Sequence, residues 1–272
     1  MLISLNRFVT VAKIVSFVFF LSLLSLPFPA SAKSQALNPH AFSPTKAEKA
    51  FLAKHPVISI GIMDAWPPIN YLDANGRPQG LGVAYIKLLN ERLKGALKIV
   101  PGPFKENMAK VKEKTLDALM DVTPHPERGE FLNFTRPYME IPHVIVAPKG
   151  KDLYAHEKDL YGKTLALEKR FGSVKYFSEK YPQVTIREYP DTWLAIDAVA
   201  RGEAEAYAGN RAVAVYILEN ELISNLKIHG RLNKPGSILA IGVRKDWPEM
   251  VSILDSALAS LTEEEKRQAH GK

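Results

Sequence analysis

The sequence predicts an α/β protein built as two lobes. Short runs rich in branched residues alternate with helical stripes, which implies layers of helices on mostly parallel sheets. A polar, glycine-containing stretch at 144–163 separates two such runs and reads as an interdomain passage. The 272 residues suit one large or two small domains.

In chain order, the first 32 residues read as a secretory signal peptide. Arg7 and Lys13 precede the apolar run Ile14–Leu26, then come Pro27, Pro29 and Ala30-Ser31-Ala32. The run is shorter than the ~20 residues of a spanning helix, which favours cleavage after Ala32 over an uncleaved anchor. Residues 33–47 are polar and proline-containing, and read as a flexible N-terminus. Strands are expected at Val57–Ile62, Lys98–Val100, Ala118–Val122, Val144–Ala147, Thr164–Leu167, Val184–Glu188, Ala204–Ala208 and Ile238–Val243. Helical stripes follow Val83, Ile86, Leu89 and Leu93; Val174, Phe177 and Tyr181, stopped by Pro182; and Trp193, Ile196, Val199 and Ala200. Asp191 sits where the cap of that last stripe belongs, and Gly202 lies past its end. A further helix carries Val213 and Ile217. The apolar face from Met250 to Leu261 makes a long C-terminal helix, with Asp246 as its expected cap, and Thr262–Glu265 matches a capping box.

Composition narrows the chemistry. Hydrophobic residues are 46% and charged residues 24%, ordinary for a soluble globular chain. There is no cysteine, so disulfides, thiolate metal sites and cysteine nucleophiles are excluded. The net charge of +7, or +5 without Arg7 and Lys13, is spread along the chain with no basic run, which argues against nucleic-acid binding. The seven histidines show no HxH or HExxH spacing, and no GxSxG, GxGxxG or phosphate loop occurs. No metal, no cofactor and a non-enzymatic role are therefore expected.

Four segments carry more specific signals: DAWPPINYLDANGRPQG (64–80), LDALMDVTPHPERGEFLNFTRPY (116–138), PDTWLAIDAVARGEAEAYAGN (190–210) and GVRKDWPEMVSILDSALASLTEEEK (242–266). In this order they resemble the family-3 extracellular solute-binding proteins over about His55 to Lys266, most specifically in TPHPERGEFLNFTRPY. The WPPINY opening and the ending at Asn210 resemble the subgroup of extracytoplasmic sensor domains. The resemblance implies a type II periplasmic-binding-protein, or Venus flytrap, fold with central mixed sheets and a two-strand hinge. It implies lobe 1 from 48–140 plus 239–272 and lobe 2 from 141–238.

It also implies a ligand cleft. Arg128 is expected to anchor a ligand carboxylate, since its planar, permanently charged fork binds bidentately. Thr123 adds a hydroxyl, and Trp66 and Phe104 are aromatic walls. Asp64 can meet a ligand cation. Relatives that bind amino acids place an acid in the second lobe; the aligned position here is Asn210, which brings no charge. Asp121 either replaces that acid or excludes anions. The second-lobe loop carries Arg170 and Phe171, and Arg170 would favour a second acidic group. Each residue has a plainer reading: Arg128 paired with Glu127 or Asp121, Trp66 in a core or at a rim, Asn210 capping the next helix, Arg170 solvated, Asp64 in a turn.

The expectation is an exported, monomeric binding protein that closes on a small polar, carboxylate-bearing solute and presents it to a membrane permease. No membrane segment follows the C-terminal helix in these 272 residues, which favours a free periplasmic protein. The alternatives are a sensor module of a signalling kinase or cyclic-dinucleotide enzyme, and an exported lyase of the cyclohexadienyl dehydratase kind.

Overall fold

Two mixed sheets, each covered on both faces, organise the chain. The structure is a computed structural model and describes residues 41–150, 153–169 and 172–270. The expected signal peptide and its expected cleavage site lie outside the described residues, as do Arg170 and Phe171.

The first lobe opens with α1 (Lys46–Lys54), which sequence periodicity did not mark. A reciprocal capping box between Thr45 and Glu48 starts it, and buried Glu48 accepts a 2.7 Å bond from Ser252 far along the chain. Then come β1 (Ile58–Met63), a small three-stranded sheet of β2 (Ala65–Trp66), β3 (Asn70–Leu72) and β4 (Pro78–Gln79), and helix α2 (Leu81–Arg92). Next follow β5 (Leu97–Gly102), α3 (Phe104–Lys112), β6 (Ala118–Val122), the short turn α4 (Pro126–Gly129), β7 (Leu132–Phe134) and β8 (Met139–Ile141).

The second lobe holds β9 (His143–Pro148), a 3-10 turn (Glu157–Leu160), β10 (Thr164–Glu168), α5 (Gly172–Lys180), β11 (Thr185–Tyr189), α6 (Thr192–Ala200), β12 (Ala206–Asn210), α7 (Arg211–Asn220) and β13 (Leu226–Arg231). The chain returns to the first lobe as β14 (Ser237–Arg244), α8 (Pro248–Ala259) and α9 (Glu263–Ala269).

The strand order is β5-β1-β6-β14-β7 in the first sheet, with β8 also on β14, and β11-β10-β12-β9-β13 in the second. Each sheet has three parallel strands and then antiparallel pairing, so the sheets are mixed rather than mostly parallel. Period-two alternation builds the cores. Leu165 and Leu167 pack with Phe177 on one face of β10, while Ala166 packs with Ile196 and Val199 on the other.

Two expectations are corrected. The passage at 144–163 begins with β9, which lies inside the second sheet between β12 and β13. Its apolar run VIVA buries both faces, and only the residues after it are loop. Asp246 does not cap α8. Arg244 draws its carboxylate to 2.9 Å and Lys114 to 3.3 Å, and Trp247 takes the cap position ahead of Pro248. The cap at Asp191 and the capping box at Thr262 form as read.

The chain crosses between sheets twice, at Pro142 and at 232–236. β8 pairs antiparallel with β14, and the Leu232 N–H donates to the His143 carbonyl at 2.9 Å, so the two crossings run side by side. At Gly236 a Cβ would stand 2.4 Å from the Ile141 carbonyl oxygen, so the close approach of the crossings needs glycine there.

Candidate functional site

The first lobe assembles a cationic corner. Pro126 starts the α4 turn, and the His125 carbonyl accepts the Arg128 N–H at 3.0 Å. The Arg128 side chain then folds back, with Nη1 donating to the Thr123 carbonyl at 2.8 Å. Its guanidinium lies 5.4 Å from the ring centre of Phe104, the first residue of α3. Burial lowers the Arg128 pKa, Glu127 opposes the shift, and the group stays charged near neutrality. No carboxylate among the described residues lies within 4.0 Å of it, so its remaining donors are free for a ligand, and the pairing with Glu127 or Asp121 does not form. Arg128, Thr123 and Phe104 are thus brought together.

Asp121 goes elsewhere. The β6–β14 pairing shifts by one residue between Ala240 opposite Val122 and Gly242 opposite Leu119. Asp121 occupies this irregularity with φ 58°, a left-handed backbone that turns its side chain inward. Only 4% exposed, it accepts bonds from the Asn70 amide and the Tyr138 hydroxyl. Burial pushes its carboxyl up to about 6, against the pull of those two donors. Gly82 makes the room, since a Cβ there would sit 2.5 Å from both Asn70 Oδ1 and Asp121 Oδ2.

Trp66, half-buried on β2, packs against the apolar cores of both lobes. Nearby, Tyr71 of the first lobe meets Tyr216 of the second, with ring centres 6.2 Å apart. Asp64 lies between β1 and β2, and its carbonyl accepts the Leu72 N–H at 3.0 Å.

In the second lobe Asn210 ends β12 and caps α7, with Oδ1 accepting from the N–H groups of Ala212 at 2.9 Å and Val213 at 3.2 Å. Its amide is 3.4 Å from Ser237 Oγ, which lies 2.9 Å from His143 Nε2 at the hinge. Burial, helped by the Lys234 ammonium, pushes His143 down to about 4, so this imidazole is neutral at pH 7.

Three buried carboxylates escaped the sequence reading: Glu48, Glu157 and Glu168. Glu168, at the end of β10, accepts from Thr192 Oγ1 at 2.6 Å and from Tyr207 OH at 2.8 Å. The signal was an acid closing the apolar run TLALE. Among the described residues no group of three or more His, Asp or Glu side chains is placed to hold a metal, and no helix is long and apolar enough to cross a membrane.

The family model of the bacterial extracellular solute-binding proteins, family 3, matches residues 58–271, and the chain belongs to that family. The virulence sensor protein BvgS of Bordetella pertussis is 26% identical over 219 residues, which are 80% of this chain and 18% of BvgS. The ABC transporter arginine-binding protein 1 of Escherichia coli K12 is 27% identical over 75% of this chain and 84% of its own length. The crystal structure of the periplasmic VFT2 domain of B. pertussis BvgS superposes with a TM-score of 0.74 at 24% identity, covering 84% of this chain and 98% of that one. An ancestral arginine-binding protein bound to arginine superposes with a TM-score of 0.64 at 22% identity, over 79% and 96%. The fold is therefore the two-lobed periplasmic-binding-protein, Venus flytrap fold.

Proposed function

We propose that this family-3 protein is exported, and that its lobes close on a small carboxylate-bearing solute anchored by Arg128. The closed form is then presented to a membrane partner. One observation carries the reading: a partly buried guanidinium, aimed by the Thr123 carbonyl and by Phe104, has no carboxylate partner among the described residues. A planar, bidentate donor that the protein leaves unpaired suits a ligand carboxylate. Two-lobed hinge closure removes such a ligand from water, which strengthens the pair. Thr123 and Trp66 complete the cleft wall, with Asp64 at its edge. The site is non-catalytic.

The ligand class follows from charge. Arginine-binding relatives point to amino acids. In this chain the second-lobe position holds Asn210, committed to capping α7, and Asp121 is turned into the first-lobe interior. An α-ammonium left unpaired in a closed cleft costs free energy. Amine-free carboxylic acids should therefore bind at least as well as amino acids, unless Asp64 meets the ammonium.

A second reading, an extracytoplasmic sensor domain, is favoured by the match to BvgS and by the higher superposition score of its VFT2 domain. In that case the partner is a signalling module and the solute a signal. Native mass spectrometry of the protein from the cell envelope tests both forms. The expected result is a chain beginning at Lys33 that carries an intact acidic small molecule, lost on Arg128→Ala. A full-length cytoplasmic chain overturns export, and turnover of the bound acid overturns the binding role.

A further inference from the structure

We propose a second ligand site, for a phosphate-type dianion, on the second lobe beside the hinge, where Lys180 and Lys234 meet over Tyr176. This inference is independent of the cleft reading. Both ammonium nitrogens lie 5.2 Å from the Tyr176 ring centre. They are therefore no farther apart than about 10 Å, close to the ~8 Å Debye length at physiological salt.

Neither ammonium has an ion-pair or hydrogen-bond partner among the described residues. Lys234 is half-buried, and desolvation lowers its pKa. The nearby acids are already engaged. Buried Glu157 accepts from Tyr176 OH at 2.7 Å and from the Asn233 N–H at 2.6 Å. Asp159 holds the His156 N–H at 2.9 Å, and Glu179 lies 3.8 Å from Lys175.

Two adjoining open surface grooves meet at this point. One, of about 840 Å³, is bordered by Lys158 and Arg231 as well as Lys234; the other, of about 320 Å³, by Lys175, Lys180 and Lys234. The Asn233–Pro235 segment is their shared wall. Five cations thus stand against three acids, buried Glu157 and exposed Asp159 and Glu179, and Arg231 also lies 3.9 Å from Glu140. Each ammonium carries three donors and no acceptor. A tetrahedral dianion matches two converging point charges, and lysine binds phosphate as a point charge. Because Asn233–Pro235 belongs to the second hinge crossing, an anion here ties α5 to the hinge.

Free phosphate and a phospholipid headgroup share this chemistry, and two arms separate them. Calorimetry with inorganic phosphate at constant ionic strength is run on the wild type, Lys180→Gln, Lys234→Gln, the double variant and Arg128→Ala, with circular dichroism as the folding check. Sedimentation with vesicles of phosphatidylcholine and phosphatidic acid, whose headgroup is a phosphomonoester, forms the second arm. The expected result is saturable phosphate binding that survives Arg128→Ala, weakens at least threefold in each single variant and at least tenfold in the double. Vesicle binding that the double variant abolishes also supports the site and assigns it to a headgroup. Absence of binding in both arms, or binding unchanged in the single and double variants, overturns it. Loss on Arg128→Ala alone places the phosphate in the cleft and also overturns it.

Discussion

Each lobe ends a parallel strand on a buried carboxylate held by a tyrosine: Asp121 with Tyr138 in the first, Glu168 with Tyr207 in the second. The polar groups that each lobe carries apart from those carboxylates differ. The first lobe adds Arg128, charged and without an acid partner among the described residues, while the second adds Asn210, uncharged and committed to capping α7. The two interiors follow one plan, yet among the described residues the charge that the proposed reading offers to a ligand stands in the first lobe. On the proposed reading a ligand with one negative group would meet its partner in the first lobe and a neutral amide at Asn210, which favours acids without an amine.

The largest effect that can break this asymmetry is at Arg128. Removing the charged partner of a buried carboxylate costs ~2–5 kcal/mol, or about 30-fold to several thousandfold in affinity. Arg128→Ala should abolish calorimetric binding of the native ligand while circular dichroism stays unchanged. Equal affinity in the variant removes Arg128 from the site.

Acid stability sharpens the comparison between the first-lobe interior and the hinge. Asp121 is raised from 3.8 to about 6, so between pH 4 and 6 the folded chain holds a proton that the unfolded chain has released. Its contribution is complete below pH 4 and is lost as pH rises through 6, by about 2–3 kcal/mol. His143 is lowered from 6.5 to about 4, so over nearly the same window the unfolded chain holds the extra proton. Its contribution is complete above pH 6.5 and is lost as pH falls through 4, by a similar amount. The two slopes oppose. In urea melts from pH 4 to 7 the wild type should be nearly flat, Asp121→Asn should gain stability with rising pH, and His143→Gln should lose it. Parallel slopes in the two variants would falsify these environments.

Smaller effects separate structure from recognition. Asn210→Ala removes a helix cap and should cost ~1 kcal/mol of stability, read as a lower urea midpoint, with little change in acid binding. Phe104→Leu removes the aromatic face beneath Arg128. A cation–π contact of ~0.5–1 kcal/mol predicts a two- to fivefold loss in ligand affinity by calorimetry.

Much of the scaffold was legible because it rests on local rules. Branched runs gave β1, β6, β9 and β10, helical stripes gave α2, α6 and α8, and local chemistry placed the caps at Asp191 and Thr262. The motif at 123–138 pointed to Arg128. Elements set by distant partners were not legible. Strands β2, β4, β7 and β8 are two or three residues long and exist through their pairing. Helix α1 has only Phe51 and Leu52 as large apolar residues and depends on its Thr45 box, on Glu48 meeting Ser252 and on Phe51 against Trp247. Asp121 read as a cleft residue from its place in the motif. Its inward turn depends on a register shift against β14, more than a hundred residues later. Asn210 had two readings in sequence, and the backbone bonds to Ala212 and Val213 settle the cap.

The most direct measurement is a thermal-shift screen of α-amino acids against matched amine-free acids, run on the wild type and on Asn210→Asp. Aspartate caps a helix as well as asparagine does and adds the missing charge. Ligands that bind only the native state raise the melting temperature according to affinity and concentration. The account predicts that amine-free acids shift the wild type at least as far as their amino-acid partners, and that Asn210→Asp tips the preference toward the amino acids. Amino acids that win in the wild type, and still win in Asp64→Asn, would contradict it.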